Sequence, residues 1–276
     1  LFQTEESKKE FIVLIEYYLD TGESISSLAQ YYTDWLNDII EEQFFFRETG
    51  HYRYSVAADV DELFYENQFY MKTYMIGLSL STYLMGSHAQ YVTFFEKALQ
   101  AFPKGKRFLE VGPGHGVYFI KAIQQTDYKQ YLGIDISEKA VELCYEMVKR
   151  RLSETVLDKI AVEKKDFFAL DEKDTFDAVV IGEVLEHVEH PEAFLHKVYD
   201  ITTDKSFIYL TTVVNCPQKD HIFLFHSVDE IEKLYHENGF EIIDSLYIPT
   251  NGYSMEKAIK KKAAINTAHV LKKIIL

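Results

Sequence analysis

Glu183, Glu186 and His187 fall at i, i+3 and i+4 in the stretch GEVLEHVEHP, and TTVVNCPQKDHIFLFHS then supplies His221 and His226. On one helical turn the first three would share a face. Two carboxylates with one or two imidazoles can hold a divalent cation. Their mixed oxygen and nitrogen donors admit Mg, Mn, Fe or Zn and exclude little. A metal-free reading makes His187 or His221 a general base. In a third reading Glu183 touches a ligand, while Glu186 and His187 serve the local fold.

A second constellation lies upstream, in FLEVGPGHGVYFIKAI. Gly112, Gly114 and Gly116 alternate with other residues after an apolar run, and Glu110 stands two residues before the first glycine. Glycine tolerates unusual dihedrals and lets a ligand approach the backbone. Asp135 closes YLGID, and Asp166 closes KIAVEKKD just before Phe167 and Phe168. A glycine loop alone also fits an ordinary tight turn, or the phosphate loop of a dinucleotide site. Three carboxylates without matching cations would repel a pyrophosphate. They suit a ligand that offers donors, such as ribose hydroxyls, an amino group or an α-ammonium.

Such residues need a frame that brings them to one edge. From Lys106 onward, strand-like and helix-like stretches alternate, which predicts a mainly parallel sheet covered on both faces. Predicted strands are RFLEV, YLGID, KIAVEKKD, FDAVVIG, SFIYLTTVV, FEIIDSLYI and NTAHVLKKI. Pro191 marks the start of one helix, Ser227 and Glu230 make a capping box for another, and Gly239 closes it. In such sheets ligands bind beyond the carboxyl ends of the strands. Before Pro103 the pattern is helical, with breaks at Gly22 and Gly50 and a long third helix through Asp59–Met85 whose weak point is Gly77. Ser87 is the expected cap of a fourth helix.

Composition narrows the setting. The chain has 276 residues, 47% of them hydrophobic, enough for a real core. A net charge of −15 argues against a nucleic-acid partner, since phosphate neutralisation supplies most of such affinity. Two cysteines without CxxC spacing argue against a disulfide framework and fit a reducing, cytoplasmic setting. No apolar run approaches the ~20 residues of a membrane span, and LFQTEESKKE does not read as a secretory leader.

The second constellation resembles the class I S-adenosylmethionine (SAM)-dependent methyltransferases. EVGPGHG is similar to their first motif, GIDIS to the second, KKDFF to the third and FDAVVIGEVLEH to the fourth, in family order from Lys106 to Ile274. The resemblance implies an α/β, Rossmann-like seven-stranded sheet, mostly parallel with its last strand antiparallel. It implies that Glu110 and the loop of Gly112, Gly114 and Gly116 line the methionine end of SAM. Asp135, followed by Ile136, would take the ribose hydroxyls, and Asp166 with Phe167 would frame the adenine. Glu183 would touch cofactor or substrate.

GEVLEH followed by Asp220-His221 is also similar to the E-x-x-E-H…D-H pattern of metal-dependent O-methyltransferases, of the ubiquinone-pathway and small-RNA 2′-O types. That likeness implies Glu183, Glu186, His187 and His221 as ligands of Mg or another divalent metal. The spacing after His221 departs slightly from the small-RNA enzymes, and the acidic charge disfavours an RNA substrate. The N-P-P-Y-like motif of many N-methyltransferases is replaced by GEVL, which favours oxygen over nitrogen as the target.

Two regions are thus expected. Residues 104–276 form the SAM-binding domain. Residues 1–103 form an all-helical, aromatic-rich lid or substrate region, since residues 1–100 hold 21 of the 41 aromatics. Aromatic stripes at helical spacing otherwise read as core or as a homodimer interface. In HYRYS, Tyr52, Arg53 and Tyr54 are candidate ligand contacts, with Arg53 suited to a carboxylate. The expected activity is methylation of a small molecule with apolar or aromatic parts, at a hydroxyl. Rival readings are a metal-independent C- or N-methyltransferase, a nicotinamide-dependent oxidoreductase and a non-catalytic SAM-binding protein.

Overall fold

A computed structural model describes residues 4–60, 63–64, 67–171, 175–250 and 252–274. The chain opens with helices α1 (Glu5–Asp20), α2 (Ile25–Thr49), α3 (Ala57–Val60), α4 (Gln68–Leu84) and α5 (Gly86–Leu99). Thr4 and Ser24 cap the first two with reciprocal side-chain bonds to Ser7 and Ser27, and Gly50 ends α2 in the left-handed conformation. The expected long third helix differs. Its break lies before Gln68, where the Asn67 side chain accepts the Tyr70 N–H at 3.0 Å, and α4 runs unbroken through Gly77. Gly77 is small for a packing reason: an added Cβ would sit 2.5 Å from Cβ of Trp35 on α2. Ser87 does not cap α5 either, because Met85 takes the cap position and no side chain bonds there.

The rest alternates as the hydrophobic pattern predicts. Strands β1 (Lys104–Val111), β2 (Asp127–Asp135), β3 (Ile160–Lys164), β4 (Phe176–Gly182), β5 (Thr202–Val214), β6 (Phe240–Pro249) and β7 (Ile265–Lys273) form one sheet in the order β3-β2-β1-β4-β5-β7-β6. β7 is antiparallel to both its neighbours; the other pairings are parallel. The covering helices are α6 (Val117–Gln125), α7 (Glu138–Arg151), α8 (Glu154–Leu157), α9 (Pro191–Asp200), α10 (Val228–Glu237) and α11 (Met255–Lys261). Ser227 caps α10 as expected, but Glu230 reaches back to the His226 N–H, so the box closes one residue early.

Strand alternation divides the core between two faces. Phe108, Val180, Phe207 and Tyr209 point to the face where α6, α7 and the N-terminal helices pack, joined by Leu14, Leu80 and Phe95. Leu109, Val179, Ile181 and Leu210 point to the other, under α9, α10 and α11. Burying each such side chain contributes roughly 1.5–3 kcal/mol. This fixes the register, and with it the strand ends. β1 lies between β2 and β4, so chain crossovers leave in opposite directions there, the usual position of a ligand crevice. No helix among the described residues is long and apolar enough to cross a membrane.

Candidate active site

The glycine loop leaves β1 at the crevice. Gly112, Gly114 and Gly116 all have positive φ, at 69°, 54° and 79°. Only glycine adopts this routinely. The three differ in use. At Gly114 an added Cβ would meet nothing within 4 Å, so the backbone there is open to a ligand. At Gly112 it would meet Val184 at 2.9 Å, and at Gly116 the Cys144 sulfur at 3.0 Å. Gly112 and Gly114 line the large cavity, whereas Gly116 faces Cys144 and lets α6 approach α7.

The acids stand where the strands end. Glu110, aligned with Gly133 of β2 and Val180 of β4, is 2% exposed, and its Oε2 has no hydrogen-bond partner. Burial raises its pKa well above the usual carboxylate range. It lines the cavity and lacks a donor, which suits an incoming ammonium. Burial also lifts Asp135 to about 6, against N–H bonds from Ser137, Gly114 and Ile136 that favour the charged form. Ile136 is exposed beside it on the cavity wall. Asp166 accepts the Phe168 N–H at 2.9 Å and caps a single 3-10 turn. Phe167 in that turn is buried and stacks on Phe194 at 4.3 Å, leaving Phe168 half exposed. Asp135, Ile136, Asp166 and Phe167 all line the same cavity.

The Glu-His group is arranged differently from one helical face. Glu183 follows β4 with φ 54°, a strained value for a non-glycine residue, held by its N–H to Thr211. The turn Leu185–His187 is 3-10. The structure therefore brings Glu186, His187 and His221 together, with one ligand atom from each inside 4.8 Å of the others, and leaves Glu183 outside that trio on the cavity wall. His226 is exposed and apart. Glu186 is fully buried. One carboxylate oxygen accepts from the Thr212 hydroxyl at 2.7 Å and the other has no partner. Burial raises both Glu183 and Glu186, and the charge of Glu183 pushes Glu186 further up. His187 Nδ1 lies 2.9 Å from the Asp220 carbonyl, and His221 Nδ1 2.7 Å from that of Cys216. A carbonyl only accepts, so each Nδ1 carries a proton, which leaves Nε2 as the lone-pair position of the neutral tautomer. His221 is pushed down to about 3, chiefly by burial and next by His187.

The cavity measures about 830 Å³ and extends from the strand ends to the helical region. Trp35 and Ile39 of α2 and Met71, Tyr74, Met75 and Leu78 of α4 line it. Of the HYRYS candidates, only Tyr52 reaches the site, where its hydroxyl accepts the Cys216 N–H at 3.0 Å. Arg53 pairs with buried Glu42 at 2.9 Å and lies over the Phe45 ring, and it is not among the described residues that line the cavity. Tyr54 packs edge-on to Phe64. Thr212 and the Cys216 main chain escaped sequence reasoning, because a threonine inside a strand and a backbone carbonyl leave no pattern. The helical lining escaped it too, since it depends on how α2 and α4 cross.

A family model described as a methyltransferase domain matches residues 85–245. No curated protein matches the chain. Among solved structures, the chain is similar to N-methyltransferase NodS from Bradyrhizobium japonicum WM9, with S-adenosylhomocysteine (SAH) bound. The identity is 14%, covering 66% of this chain and 86% of that one, at a TM-score of 0.51. Similar too is phosphoethanolamine N-methyltransferase 2 of Haemonchus contortus with SAM, at 12% identity, 80% and 60% coverage and a TM-score of 0.60. A third is the mitomycin 7-O-methyltransferase MmcR, at 12% identity, 87% and 68% coverage and a TM-score of 0.57. Their names divide between nitrogen and oxygen, so these likenesses carry the fold and not the target atom. The glycine loop, the three strand-end acids and the domain match agree, and the chain belongs to the methyltransferase-domain family, as a class I SAM-dependent methyltransferase.

Proposed function

We propose that this enzyme methylates a hydroxyl oxygen of a small molecule, with a divalent cation held by Glu186, His187 and His221. The observation that supports it is the trio itself: a buried carboxylate oxygen without a partner beside two imidazoles whose Nδ1 positions are fixed on carbonyls. Metal-binding histidines are oriented in this way. A cation there would lower the pKa of an acceptor hydroxyl and orient it. SAM supplies a methyl group already activated on a sulfonium, so the chain's own task is positioning. Gly112 and Gly114 give the close approach, Glu110 meets the amino-acid end, Asp135 with Ile136 takes the ribose, and Asp166 with Phe167 frames the adenine. The acceptor oxygen gains the methyl as the carbon–sulfur bond breaks, and its proton leaves to Glu183 on the cavity wall. The helical region acts as the lid that excludes water. The missing N-P-P-Y-like motif supports oxygen over nitrogen.

One observation favours a second reading. His187 Nδ1 is 3.4 Å from an Asp220 carboxylate oxygen, the arrangement of a general base with its orienting acid. Titrating Mn²⁺ or Mg²⁺ calorimetrically into SAH-saturated protein separates the two. The metal reading expects binding to wild type that is lost in Glu186→Ala. No binding to wild type leaves His187 or His221 as a metal-free base. Failure of SAH to bind at all would remove the cofactor assignment.

A further inference from the structure

The part of the cavity farthest from the strand ends has a chemistry of its own. Trp35, Ile39, Met71, Tyr74, Met75 and Leu78 cover it, and none carries a charge. Among the described residues lining the whole cavity, Lys165 is the single lysine or arginine, and it lies next to Asp166 at the end of β3. The carboxylates Glu110, Asp135, Asp166 and Glu183 line the cavity at the strand ends, and Glu189, also on the lining, accepts the Ala57 N–H of the helical region at 2.7 Å. Burial holds His88 and His115 down, to about 4 and about 3, so the imidazoles nearest the glycine loop are neutral too. Beyond the pocket, a net charge of −15 lowers the local concentration of anions.

An anionic group under this roof would lose its hydration with no lining cation there to replace it, since Lys219, over the Tyr70 ring of α4, is paired with Asp38 of α2 at 2.6 Å. An unpaired buried charge is among the costliest arrangements a protein can hold. An apolar group there gains roughly 25 cal/mol for each Å² removed from water. The lining is also adaptable. Met71, Met75 and Met85 are three of the chain's five methionines, all on this cavity. Unbranched thioethers fit irregular shapes. The volume of about 830 Å³ lies near the top of the usual ~300–1,000 Å³ for small-molecule sites, leaving room for an acceptor beside the cofactor.

We infer that the acceptor's body, beyond its reacting hydroxyl, is uncharged and largely apolar, and that the α2–α4 roof rejects acceptors with a carboxylate or phosphate there. The inference rests on the methyl-transfer reading of the same site. It adds a rule of selection: charge under the roof, rather than size, decides which hydroxyl compounds enter.

The test uses three phenols that differ only at the far end of one chain: 4-pentylphenol, 5-(4-hydroxyphenyl)pentanamide and 5-(4-hydroxyphenyl)pentanoate. Each is titrated into SAH-saturated protein without added metal. Trp35 is the only tryptophan, so its emission reports on the roof. SAH binding is measured first; its failure counts against the cofactor assignment and not against the roof. With SAH bound, the alkylphenol should bind, the amide more weakly, and the carboxylate at least ~10-fold more weakly than the amide. Met75→Lys, which puts a cation under the roof, should narrow the carboxylate-to-amide gap at least several-fold. Equal binding of carboxylate and amide overturns the inference. So does an alkylphenol that does not bind, or a gap that Met75→Lys leaves unchanged in a folded variant.

Discussion

His187 and His221 meet edge to face, with ring centroids 4.7 Å apart and planes at 86°. The contact interlocks two loops. His187 is anchored on the carbonyl of Asp220, the residue just before His221, and His221 on that of Cys216. Neither imidazole can turn without breaking a part-buried hydrogen bond, so both rings are held beside Glu186 before any ligand arrives. Such preorganisation lowers the reorganisation that binding or proton transfer requires.

Thr212 tests whether this geometry holds a metal. Its hydroxyl donates to Glu186 and so selects which oxygen of that carboxylate stays open. Thr212→Val keeps the shape and removes the donor. The loss of such an outer partner typically costs about 10–100-fold in metal affinity. We expect a fall in that range for Co²⁺ or Mn²⁺ in a competition titration, with SAH affinity unchanged. An equal fall in both affinities would mean a general disturbance of the fold.

Tyr52 links the helical region to the same loops. Its hydroxyl accepts the Cys216 N–H, while the Cys216 carbonyl holds His221. Tyr52→Phe keeps the ring and leaves a part-buried N–H without its partner, a loss of up to ~1–3 kcal/mol. The expected result is a lower melting temperature and a kcat reduced more than the SAH affinity. A variant with wild-type kcat would show that His221 does not depend on this anchor.

The site was legible in the sequence to the extent that it is set by strand ends. Glu110 and Asp135 each follow an apolar run and Asp166 stands four residues past the end of one, at Val162, and parallel strands place the ends of such runs on one edge. β7 and the glycine loop were legible for the same reason. What failed was whatever depends on crossings between elements. Arg53 looked free for a ligand because Glu42 lies eleven positions earlier, on a helix whose facing is invisible locally. Glu183 looked like part of a helical trio because spacing cannot tell a 3-10 turn after a strained residue from an α-helix. Gly77 looked like a break, since only the α2–α4 packing shows why a glycine is needed.

Gly77 gives a prediction with a sign. In a free helix, alanine is better than glycine by ~1 kcal/mol. Here the new Cβ would stand 2.5 Å from Cβ and 2.6 Å from Cγ of Trp35, atoms next to the α2 backbone that cannot swing away. Overpacking of this kind costs typically ~1–3 kcal/mol, more than the propensity gain. Gly77→Ala should therefore unfold at lower urea than wild type. Gly86→Ala, where nothing lies within 4 Å, should be neutral or slightly stabilising. A stabilised Gly77→Ala would mean that α2 and α4 are not this close.

Asp135 makes cofactor affinity depend on pH near the physiological range. Burial is the main cause of its rise to about 6, and the N–H groups of Ser137, Gly114 and Ile136 limit that rise. Ribose hydroxyls donate, so the form that receives them is the carboxylate. The ionised form predominates above about 6 and is lost as pH falls through that value. The Asp135 contribution to SAH affinity should therefore be level at higher pH and fall by about tenfold for each unit below the pKa, on top of any dependence from Glu110, which burial also raises. An ordinary aspartate would show no such fall until about pH 4. At pH below 6, SAH binding should also release protons, because the ligand favours the ionised form. Asp135→Asn should bind more weakly than wild type and lose the fall of about tenfold per unit below about pH 6, which separates Asp135 from Glu110 and from the histidines of the cavity. If the slope persists in Asp135→Asn, another group controls cofactor affinity and Asp135 is not its pH-sensitive contact.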